Sequence, residues 1–325
     1  MSTHDKSLAL AKYIADLCVD ANIAKHVYVV GGAVRNQILS VPIKDLDVVI
    51  DSIRAGHTSE WLAHEIADSI PGEVSIATNT YGVAILSIVE PWILNGIQMK
   101  GEVIEIANAR SESYSKSEQI KGLNYKPTEV KAATIEQDVN RREFTFNTLM
   151  MRMSDIAVKG FDAPVIDLTG RGLSDLRSGQ MVTPDDPDKT FGDDPTRILR
   201  TIKFGSKYGF SIPTVTRDAA RRHAHELKDM PHNAVSKLLI DFVFPGDVAK
   251  YAIPILNDLG VTKVIKEMMK EIAPFRDSLI NWANTQTVET GWLVGCLMIW
   301  DFLCRHAWDF YLLNSKKNFV LMLKT

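Results

Sequence analysis

The stretch VYVVGGAVRN (residues 27–36), followed by KDLDVVI (residues 44–50), decides the fold. The first segment is an apolar run ending in two glycines, which predicts a strand, a tight turn and the start of a helix. Backbone N–H groups at such a helix start can bind an anion. In the second segment Asp45 and Asp47 are two residues apart, so on a strand both point to one face and can share a cation. Together the two segments predict metal-assisted phosphoryl chemistry.

The composition is that of a globular chain. Its 325 residues are 46% hydrophobic and 24% charged, which is enough for two or three domains. The net charge of -3 gives no overall nucleic-acid signature, so any basic surface must be local. Cys18, Cys296 and Cys304 are too few for a disulfide framework and lack metal-site spacing, which favours a reducing compartment. Because the N-terminal segment lacks a signal-peptide core and the longest apolar run (292–300) is too short for a bilayer, we expect a cytoplasmic protein without membrane partners.

Apolar periodicity predicts an α/β head of about 170 residues followed by an all-α remainder, an α+β fold overall. Segment 109–135 is polar and is predicted to be a mobile or extended connection. A helix beginning near Asp138 is predicted to carry Phe144, Leu149 and Met150. Further helices are predicted at 6–22, 33–39, 58–70, 194–208, 214–227, 232–244, 247–259, 262–272 and 277–313. Strands are predicted at 26–31, 45–50, 73–78, 82–89, 102–107 and 165–168.

A third acid, Glu105, lies in the apolar run GEVIEIA (residues 101–107). Its neighbours Ile104 and Ile106 share one face of the predicted strand, so Glu105 projects from the other face. Acids at strand ends are often only solvated, and Glu105 by itself fits that simpler interpretation. For Asp45 and Asp47 the glycine turn upstream favours a metal site. Neither a Gly-x-Gly-x-x-Gly nor a Gly-Lys-Ser/Thr motif is found, which disfavours dinucleotide and P-loop sites.

A basic helix is predicted after Asp193, where acids and Pro195 precede DDPTRILRTIKF. Its cations recur on one face, at positions 197, 200, 203 and 207. From residue 197 to residue 228 there are eight Lys or Arg and two acids, a local charge of +6. A solvated helix face is the simpler interpretation, but the lack of compensating glutamates favours a polyanionic partner.

Five motifs in this order resemble the class II tRNA nucleotidyltransferase/poly(A) polymerase family, which includes the CCA-adding enzymes. They are VVGGAVR (29–35), KDLD (44–47), EIANARSESY (105–114), NRREFTFNTL (140–149) and DDPTRILRTIKF (193–204). The resemblance implies a polymerase β-like nucleotidyltransferase head with a mixed β-sheet at 1–170. An all-α neck at 171–244 and a helical body at 245–325 would follow.

The resemblance also implies a role for individual residues of the head. The ligands of two catalytic Mg²⁺ ions would be Asp45, Asp47 and Glu105. The triphosphate would be bound by Gly31, Gly32 and Arg35. The sugar and phosphates would be contacted by Arg142, Glu143 and Asn147.

In the neck, Asp194 and Arg197 would hydrogen-bond the Watson–Crick edge of the incoming base, since a carboxylate accepts and a guanidinium donates. Further triphosphate contacts would come from Arg200 and Lys203. The residues expected to contact RNA are Arg110, Lys207, Arg221 and Arg222.

The chain departs from the family pattern at three single positions. Asn36 stands where the family usually has aspartate, Glu143 replaces an aspartate, and Asp193 replaces a glutamate. A glutamate–arginine pair usual in the later neck is absent from residues 231–237. These departures leave the three expected metal ligands in place.

The function expected from the resemblance is template-independent addition of CMP and/or AMP, from CTP and ATP, to the 3′ end of tRNA or another RNA. Poly(A) synthesis and addition of only A or only CC are alternatives within the family. Alternatives of other functional classes are a non-catalytic RNA-binding relative and a small-molecule nucleotidyltransferase. Whether the protein is a monomer or a homodimer is left open by the sequence.

Overall fold

The structure, a computed structural model, describes residues 3–79, 81–114, 127–230, 235, 238–239 and 246–272. The chain divides into two compact units, the first holding Met1–Ser113, Pro127–Ser178 and Thr183–Asp185. The first unit therefore extends past the head boundary predicted at residue 170. The division of the chain into head, neck and body stays a prediction.

The described residues of the first unit form ten strands, and six of them make a mixed sheet in the order β10-β1-β2-β7-β4-β3. Only β2 and β7 run parallel among these neighbours, and the remaining pairs are antiparallel. The strands are β1 Val27–Val30, β2 Leu46–Ile50, β3 Val74–Thr78, β4 Val83–Ile88, β5 Ile93–Leu94, β6 Ile97–Gln98, β7 Val103–Asn108, β8 Arg110–Ser113, β9 Glu129–Ala132 and β10 Met150–Arg152.

The helices of the described residues follow the predicted periodicity in most places. In the first unit they are α1 Thr3–Asp20, α2 Gly32–Ile38, α3 Ser52–Ala55, α4 Ser59–Ser69, α5 Ile135–Asn140, α6 Met153–Lys159 and α7 Gly172–Ser178. In the second unit they are α8 Pro187–Asp193, α9 Thr196–Tyr208, α10 Thr214–His223, α11 Gly246–Asp258 and α12 Val261–Ile272. Among the described residues of both units, no helix is both long enough and apolar enough to cross a membrane.

The sheet buries one face along β4 and β7. Ile104 and Ile106 of β7 are fully buried, whereas Val103 and Glu105, which alternate with them, are exposed. Helix α4 packs against β4 and β7 and buries Leu62. The alternation predicted for Glu105 is therefore confirmed, because a period of two places it on the face opposite the buried isoleucines.

Three predictions of secondary structure between residues 109 and 168 were wrong. Residues within the predicted connection 109–135 form an antiparallel hairpin, in which β8 pairs with β9, while 115–126 lie outside the described residues. The helix near Asp138 ends at Asn140, so Phe144, Leu149 and Met150 are not on it. A 3₁₀ turn, Thr145–Asn147, follows instead. The predicted strand 165–168 is only a single bridge between Met150 and Ile166.

In the second unit the predicted helices at 194–208, 247–259 and 262–272 are confirmed within one or two residues. Helix α10 ends earlier than predicted, at His223, and continues as a 3₁₀ segment, Ala224–Asp229. Helix α8 was not predicted. The predicted helix 277–313 and most of 232–244 lie outside the described residues.

Candidate active site

The acidic pair of the sequence motif lies at the start of β2. Asp47 is within β2, one residue after Leu46, and Asp45 immediately precedes the strand. The parallel register pairs Asp47 directly with Glu105 of β7. Because paired residues on neighbouring strands share a face, the structure brings these two predicted carboxylates together.

The surroundings of Asp47 disfavour its charge. Burial, followed by the negative charge of Glu105, raises the pKa of Asp47 to about 6. Asp45 also raises this pKa through its charge, while the guanidinium groups of Arg142 and Arg35 lower it. Repelling carboxylates of this kind are stabilised when a cation binds between them.

The carboxylates fit Mg²⁺ better than a metal that needs a complete protein cage. Among the described residues, no three His, Cys, Asp or Glu side chains gather closely enough to hold a metal by themselves. Mg²⁺ keeps several waters and is commonly bound through one or two carboxylates together with substrate phosphates. The pair of Asp47 and Glu105 meets that requirement, and a third ligand from Asp45 remains a prediction.

The glycine turn lies against Asp47. Gly31 has a φ of +61°, in the left-handed region that favours glycine. A Cβ atom on Gly31 would lie 3.9 Å from Asp47 Oδ2 and 3.8 Å from Arg142 Nη1. A Cβ atom on Gly32 would lie 3.9 Å from Asp47 Oδ2 and 3.8 Å from Arg35 Nη2. The two glycines thus leave open the space between one carboxylate and two guanidinium groups.

Arg35 is buried and held on two sides. Its Nη1 donates to Asn147 Oδ1 at 2.6 Å, and its Nη2 donates to Asn36 Oδ1 at 3.0 Å. Asn36 in turn donates from Nδ2 to the Pro42 carbonyl at 3.0 Å. The amide at position 36 therefore links Arg35 to the loop that leads into the acidic motif.

Replacing Asn36 by aspartate is expected to reduce stability and to give no gain in activity. A carboxylate can still accept from Arg35, but it cannot donate to the Pro42 carbonyl and would repel it. We expect a loss of about 1 kcal/mol in the free energy of unfolding, measured by denaturant titration. A variant more active or more stable than the wild type would contradict this role for the amide.

Arg142 is positioned by Asp138, an acid that is not among the predicted site residues. Asp138, fully buried on α5, accepts from Arg142 Nη2 at 2.8 Å and from Arg141 Nε at 2.8 Å. Its Oδ1 also accepts from the backbone N–H of Arg110 at 3.2 Å. Burial alone would raise the pKa of Asp138, but the charges and hydrogen bonds of Arg142 and Arg141 outweigh it and lower that pKa. In the sequence, the spacing of Arg141 and Arg142 at i+3 and i+4 from Asp138 already indicates that these side chains can pair.

Arg110, an expected RNA contact, belongs to the same network. Its Nε donates to Glu112 Oε1 at 2.8 Å, and Arg141 Nη1 reaches the same oxygen at 3.3 Å. The Arg110 guanidinium also lies 5.4 Å from the centre of the Tyr81 ring. Three arginines and two acids therefore form one network with Asp138 between Arg141 and Arg142, and Arg142 connects it to the glycine turn.

Asp51, on the same face as Asp47 by parity, has a structural role. It is fully buried, caps α3 through the Arg54 N–H at 3.1 Å, and accepts from the Ile135 N–H at 3.1 Å. It therefore ties the end of β2 to the start of α5.

The two residues expected to read the base contact each other in the second unit. Asp194 Oδ1 accepts from the Thr196 N–H at 2.9 Å, and Asp194 Oδ2 lies 3.7 Å from Arg197 Nε. Arg197 is buried and donates from Nη1 to the Thr190 carbonyl at 3.1 Å. Asp194 keeps about a quarter of its side chain exposed, 27%. The pair is thus fixed at the start of α9, and its role towards a base stays a prediction.

The basic stripe of α9 faces outward in part. Arg200 and Lys207 are exposed, Lys203 is half-buried, and Lys207 Nζ lies 4.9 Å from the centre of the Tyr208 ring. Arg200, Lys203 and Lys207 agree with the predicted basic face, whereas Arg197 is buried and is not part of an exposed surface.

The cations of α10 are paired with acids distant in sequence. Arg221 hydrogen-bonds the Asp258 carboxylate and, at 2.8 Å, the Asp258 carbonyl. Arg222 forms two hydrogen bonds to Asp188, at 2.9 and 2.6 Å. Both arginines thus hold helices of the second unit together, and the local charge of +6 is partly compensated by acids outside the counted window.

The six-stranded sheet with paired carboxylates beside a glycine turn defines the class: a nucleotidyltransferase head domain followed by helices. Residues 27–182 match the family model of the poly A polymerase head domain. A CCA-adding enzyme of Bacillus cytotoxicus is 26% identical over 271 residues, which is 82% of this chain and 58% of that protein. The tRNA nucleotidyltransferase cca1 of Schizosaccharomyces pombe is 28% identical over 239 residues, 71% of this chain and 43% of that protein. Residues 27–182 are thus similar to the poly A polymerase head domain, and the chain spans about half the length of the curated relatives it matches.

Solved structures show the same fold. An apo CCA-adding enzyme matches 98% of this chain and 70% of its own with a TM-score of 0.63 and 23% identity. A Thermotoga maritima CCA-adding enzyme in complex with tRNA matches with a TM-score of 0.58 and 22% identity, covering 97% of this chain and 68% of its own. The α+β class and the nucleotidyltransferase head predicted from the sequence are confirmed.

Proposed function

We propose that this protein is a template-independent RNA nucleotidyltransferase that adds CMP and/or AMP, from CTP or ATP, to the 3′ end of tRNA. The observation that carries the proposal is the pair of Asp47 and Glu105 beside the Gly31–Gly32 turn. The relatives named CCA-adding enzymes support tRNA as the acceptor. Similar structures described as complexes with tRNA and with ATP support the same choice of substrates.

Asp45, Asp47 and Glu105 would hold two Mg²⁺ ions in this proposal. Bound Mg²⁺ supplies positive charge that acidifies the attacking 3′-hydroxyl and neutralises the leaving pyrophosphate. Reactions of this kind depend on alignment and charge more than on a protein nucleophile. The chain's own task is therefore to keep these carboxylates together and ionised.

Arg35, Arg142 and the glycine turn would bind the triphosphate, with Glu143 at the sugar. The two guanidinium groups lie on the same side of the turn as Asp47, where they compensate phosphate charge. Both are held in place before a nucleotide arrives, by Asn147 and by Asp138 respectively. Because these donors are already in position, little reorganisation is needed when the phosphate binds.

The second unit would supply base and RNA contacts. Asp194 and Arg197 would read the base, with Arg200 and Lys203 on the triphosphate. Lys207, together with Arg110 of the first unit, would contact the RNA backbone, which positions an RNA without reading its sequence. Arg221 and Arg222 would contribute only through guanidinium N–H groups that their acidic partners leave unused.

We place this activity in the cytoplasm. Three cysteines are too few for a disulfide framework, and Cys18 is a free, buried thiol. Burial raises the pKa of Cys18 to about 12, so the thiol is neutral at physiological pH. A neutral buried thiol is a packing group and fits a reducing compartment.

The decisive experiment is incorporation of labelled CTP or ATP into tRNA that lacks its 3′ CCA, in the presence of Mg²⁺. We expect a short extension of fixed length with both nucleotides and none in the double variant Asp45→Ala/Asp47→Ala. The double variant must keep the wild-type circular dichroism spectrum to serve as the control. No incorporation by the wild type would overturn the proposal.

Poly(A) synthesis is the second candidate, favoured by the match to the poly A polymerase head domain. ATP alone would then give a long ladder of products, whereas A-only or CC-only enzymes would stop after one or two additions. RNA binding that falls steeply with salt but gives no turnover would indicate a non-catalytic relative. Transfer to a small molecule and not to RNA would indicate the remaining alternative.

A further inference from the structure

We infer that Asn147 is a positioning residue whose carboxamide joins Arg35 to Glu143 and so fixes both groups before the nucleotide binds. Asn147 Oδ1 accepts from Arg35 Nη1 at 2.6 Å, and Asn147 Nδ2 donates to Glu143 Oε1 at 3.0 Å. This inference rests on the proposed function, because Arg35 and Glu143 are the residues proposed to contact the triphosphate and the sugar.

The chemistry of the contact requires an amide. A guanidinium can only donate and a carboxylate can only accept, so a group between Arg35 and Glu143 must accept on one side and donate on the other. Asparagine does both with a rigid planar group. Its side chain is buried, as is that of Arg35, whereas Glu143 is half-buried.

The backbone of Asn147 takes part in the same arrangement. Its carbonyl accepts from Arg142 Nη1 at 3.2 Å. Arg35, from α2, and the adjacent residues Arg142 and Glu143 therefore all meet at this one residue. A displacement of Asn147 would remove a hydrogen bond from each of the three, although Arg142 would keep its bonds to Asp138 and Arg35 its bonds to Asn36.

The 3₁₀ turn that carries Asn147 is held by hydrogen bonds to α7 and within the turn itself. Thr145 is fully buried and donates from Oγ1 to Asp175 Oδ2 on α7 at 2.7 Å. The hydroxyl of Thr148 closes the turn by donating to the Thr145 carbonyl at 2.6 Å. The position of the carboxamide is therefore determined by packing that exists without a ligand.

The test exchanges the amide and the carboxylate. Asn147→Asp places a carboxylate against Glu143, and we expect kcat/KM for CTP or ATP to fall by about 100-fold, because displaced contact groups lose alignment. Adding Glu143→Gln restores a donor opposite an acceptor, since the amide introduced at position 143 can donate to the new carboxylate while Arg35 still donates to it. We expect kcat/KM of the double variant to be at least about tenfold higher than that of Asn147→Asp, a coupling typical of groups in direct contact.

Recovery in the double variant would support the positioning role, and an equal loss in the single and double variants would overturn it. A single Asn147→Asp variant with wild-type kinetics would overturn it as well. The matched control is Asn95→Asp, the same change at an exposed position on the β5–β6 turn, which should leave kinetics unchanged.

Two further measurements keep the inference testable by itself. If the double variant fails to fold, Glu143→Gln, which keeps an acceptor oxygen for Asn147, should retain far more activity than Glu143→Ala. Equal loss in these two would contradict the inference. If the wild type incorporates no nucleotide, the proposed function fails, but the same coupling between positions 147 and 143 should still appear in thermal unfolding. Additive shifts of Tm in the four-variant cycle would then refute the contact.

Discussion

Replacing Asp47 by asparagine is expected to abolish nucleotide transfer while making the metal-free protein more stable. Transfer should fall by at least about a thousandfold, because several kcal/mol of transition-state stabilisation depend on a charged ligand at this position. Stability should rise because burial and the charge of Glu105 raise the pKa of Asp47 to about 6, so that ionisation at neutral pH works against folding. The ordinary value is 3.8, and the difference corresponds to at most roughly 3 kcal/mol.

The pH dependence follows from the sign of this shift. Since the pKa of Asp47 is higher in the folded state, the penalty is complete above pH 6 and disappears as the pH falls towards 4. The stability advantage of Asp47→Asn should therefore be largest at pH 7 to 8 and small near pH 4, measured as Tm of the metal-free proteins. Mg²⁺ should raise the Tm of the wild type more than that of the variant.

Asp162→Asn is the matched control, because this aspartate is exposed and should show neither effect. A variant less stable than the wild type at pH 7, or an advantage that does not change with pH, would contradict the electrostatic explanation. Retained transfer would remove Asp47 from the proposed metal site.

The sequence predicted the part of the site that depends on strand periodicity. Asp47 and Glu105 each interrupt an apolar run, and a period of two was enough to place them on an open face. Their direct pairing required knowing that β2 and β7 are neighbours, which only the resemblance implied. Their order in the sheet arises from contacts between segments more than fifty residues apart, and local patterns do not contain that information.

The hairpin of β8 and β9 shows where periodicity fails. Its strands are four residues long, and β9 is exposed along its whole length, so neither strand has an apolar face to recognise. The helix predicted through Met150 failed for a related reason. Phe144, Leu149 and Met150 were predicted on one helix, but Phe144 precedes the 3₁₀ turn Thr145–Asn147, Leu149 follows that turn and Met150 begins β10.

Charge counting within a window was also misleading. Arg221 and Arg222 read as part of a basic surface, but their partners Asp258 and Asp188 are more than thirty residues away in sequence. Composition along a segment measures which charges are present and not which of them are paired. Exposed positions such as Lys207 are better candidates for a polyanion than paired ones.

The second large effect is expected at Asp138, whose replacement by alanine should destabilise the first unit by about 3 kcal/mol. Its carboxylate is fully buried between Arg141 and Arg142, and its removal leaves two guanidinium groups close together without their shared acid. Arg141 would keep Glu112 as a partner, which limits the loss, whereas Arg142 would keep only the Asn147 carbonyl among the partners described above. Arg142 should therefore leave the Gly31 turn, and the KM for the nucleotide should rise.

The lowered pKa of Asp138 fixes how this loss depends on pH. A carboxylate with a depressed pKa in the folded state stabilises the protein at every pH above its ordinary value of 3.8 and loses that contribution as pH falls through the folded pKa. The difference between wild type and Asp138→Ala should thus be constant from pH 5 to 8 and shrink only in stronger acid. This is opposite to the behaviour expected for Asp47, where burial and the charge of Glu105 outweigh the nearby arginines and raise the pKa, whereas at Asp138 the arginines outweigh burial.

Asp16→Ala provides the comparison, since Asp16 also pairs with a cation one helical turn away, Lys12, but on an exposed surface of α1. Removal of that pair should change the free energy of unfolding by no more than about 0.5 kcal/mol. Chemical denaturation of the three proteins at pH 7 measures both differences. If Asp138→Ala costs no more than Asp16→Ala, or leaves the nucleotide KM unchanged, Asp138 does not hold Arg142 at the glycine turn, and the position of that arginine must be determined by the Asn147 carbonyl instead.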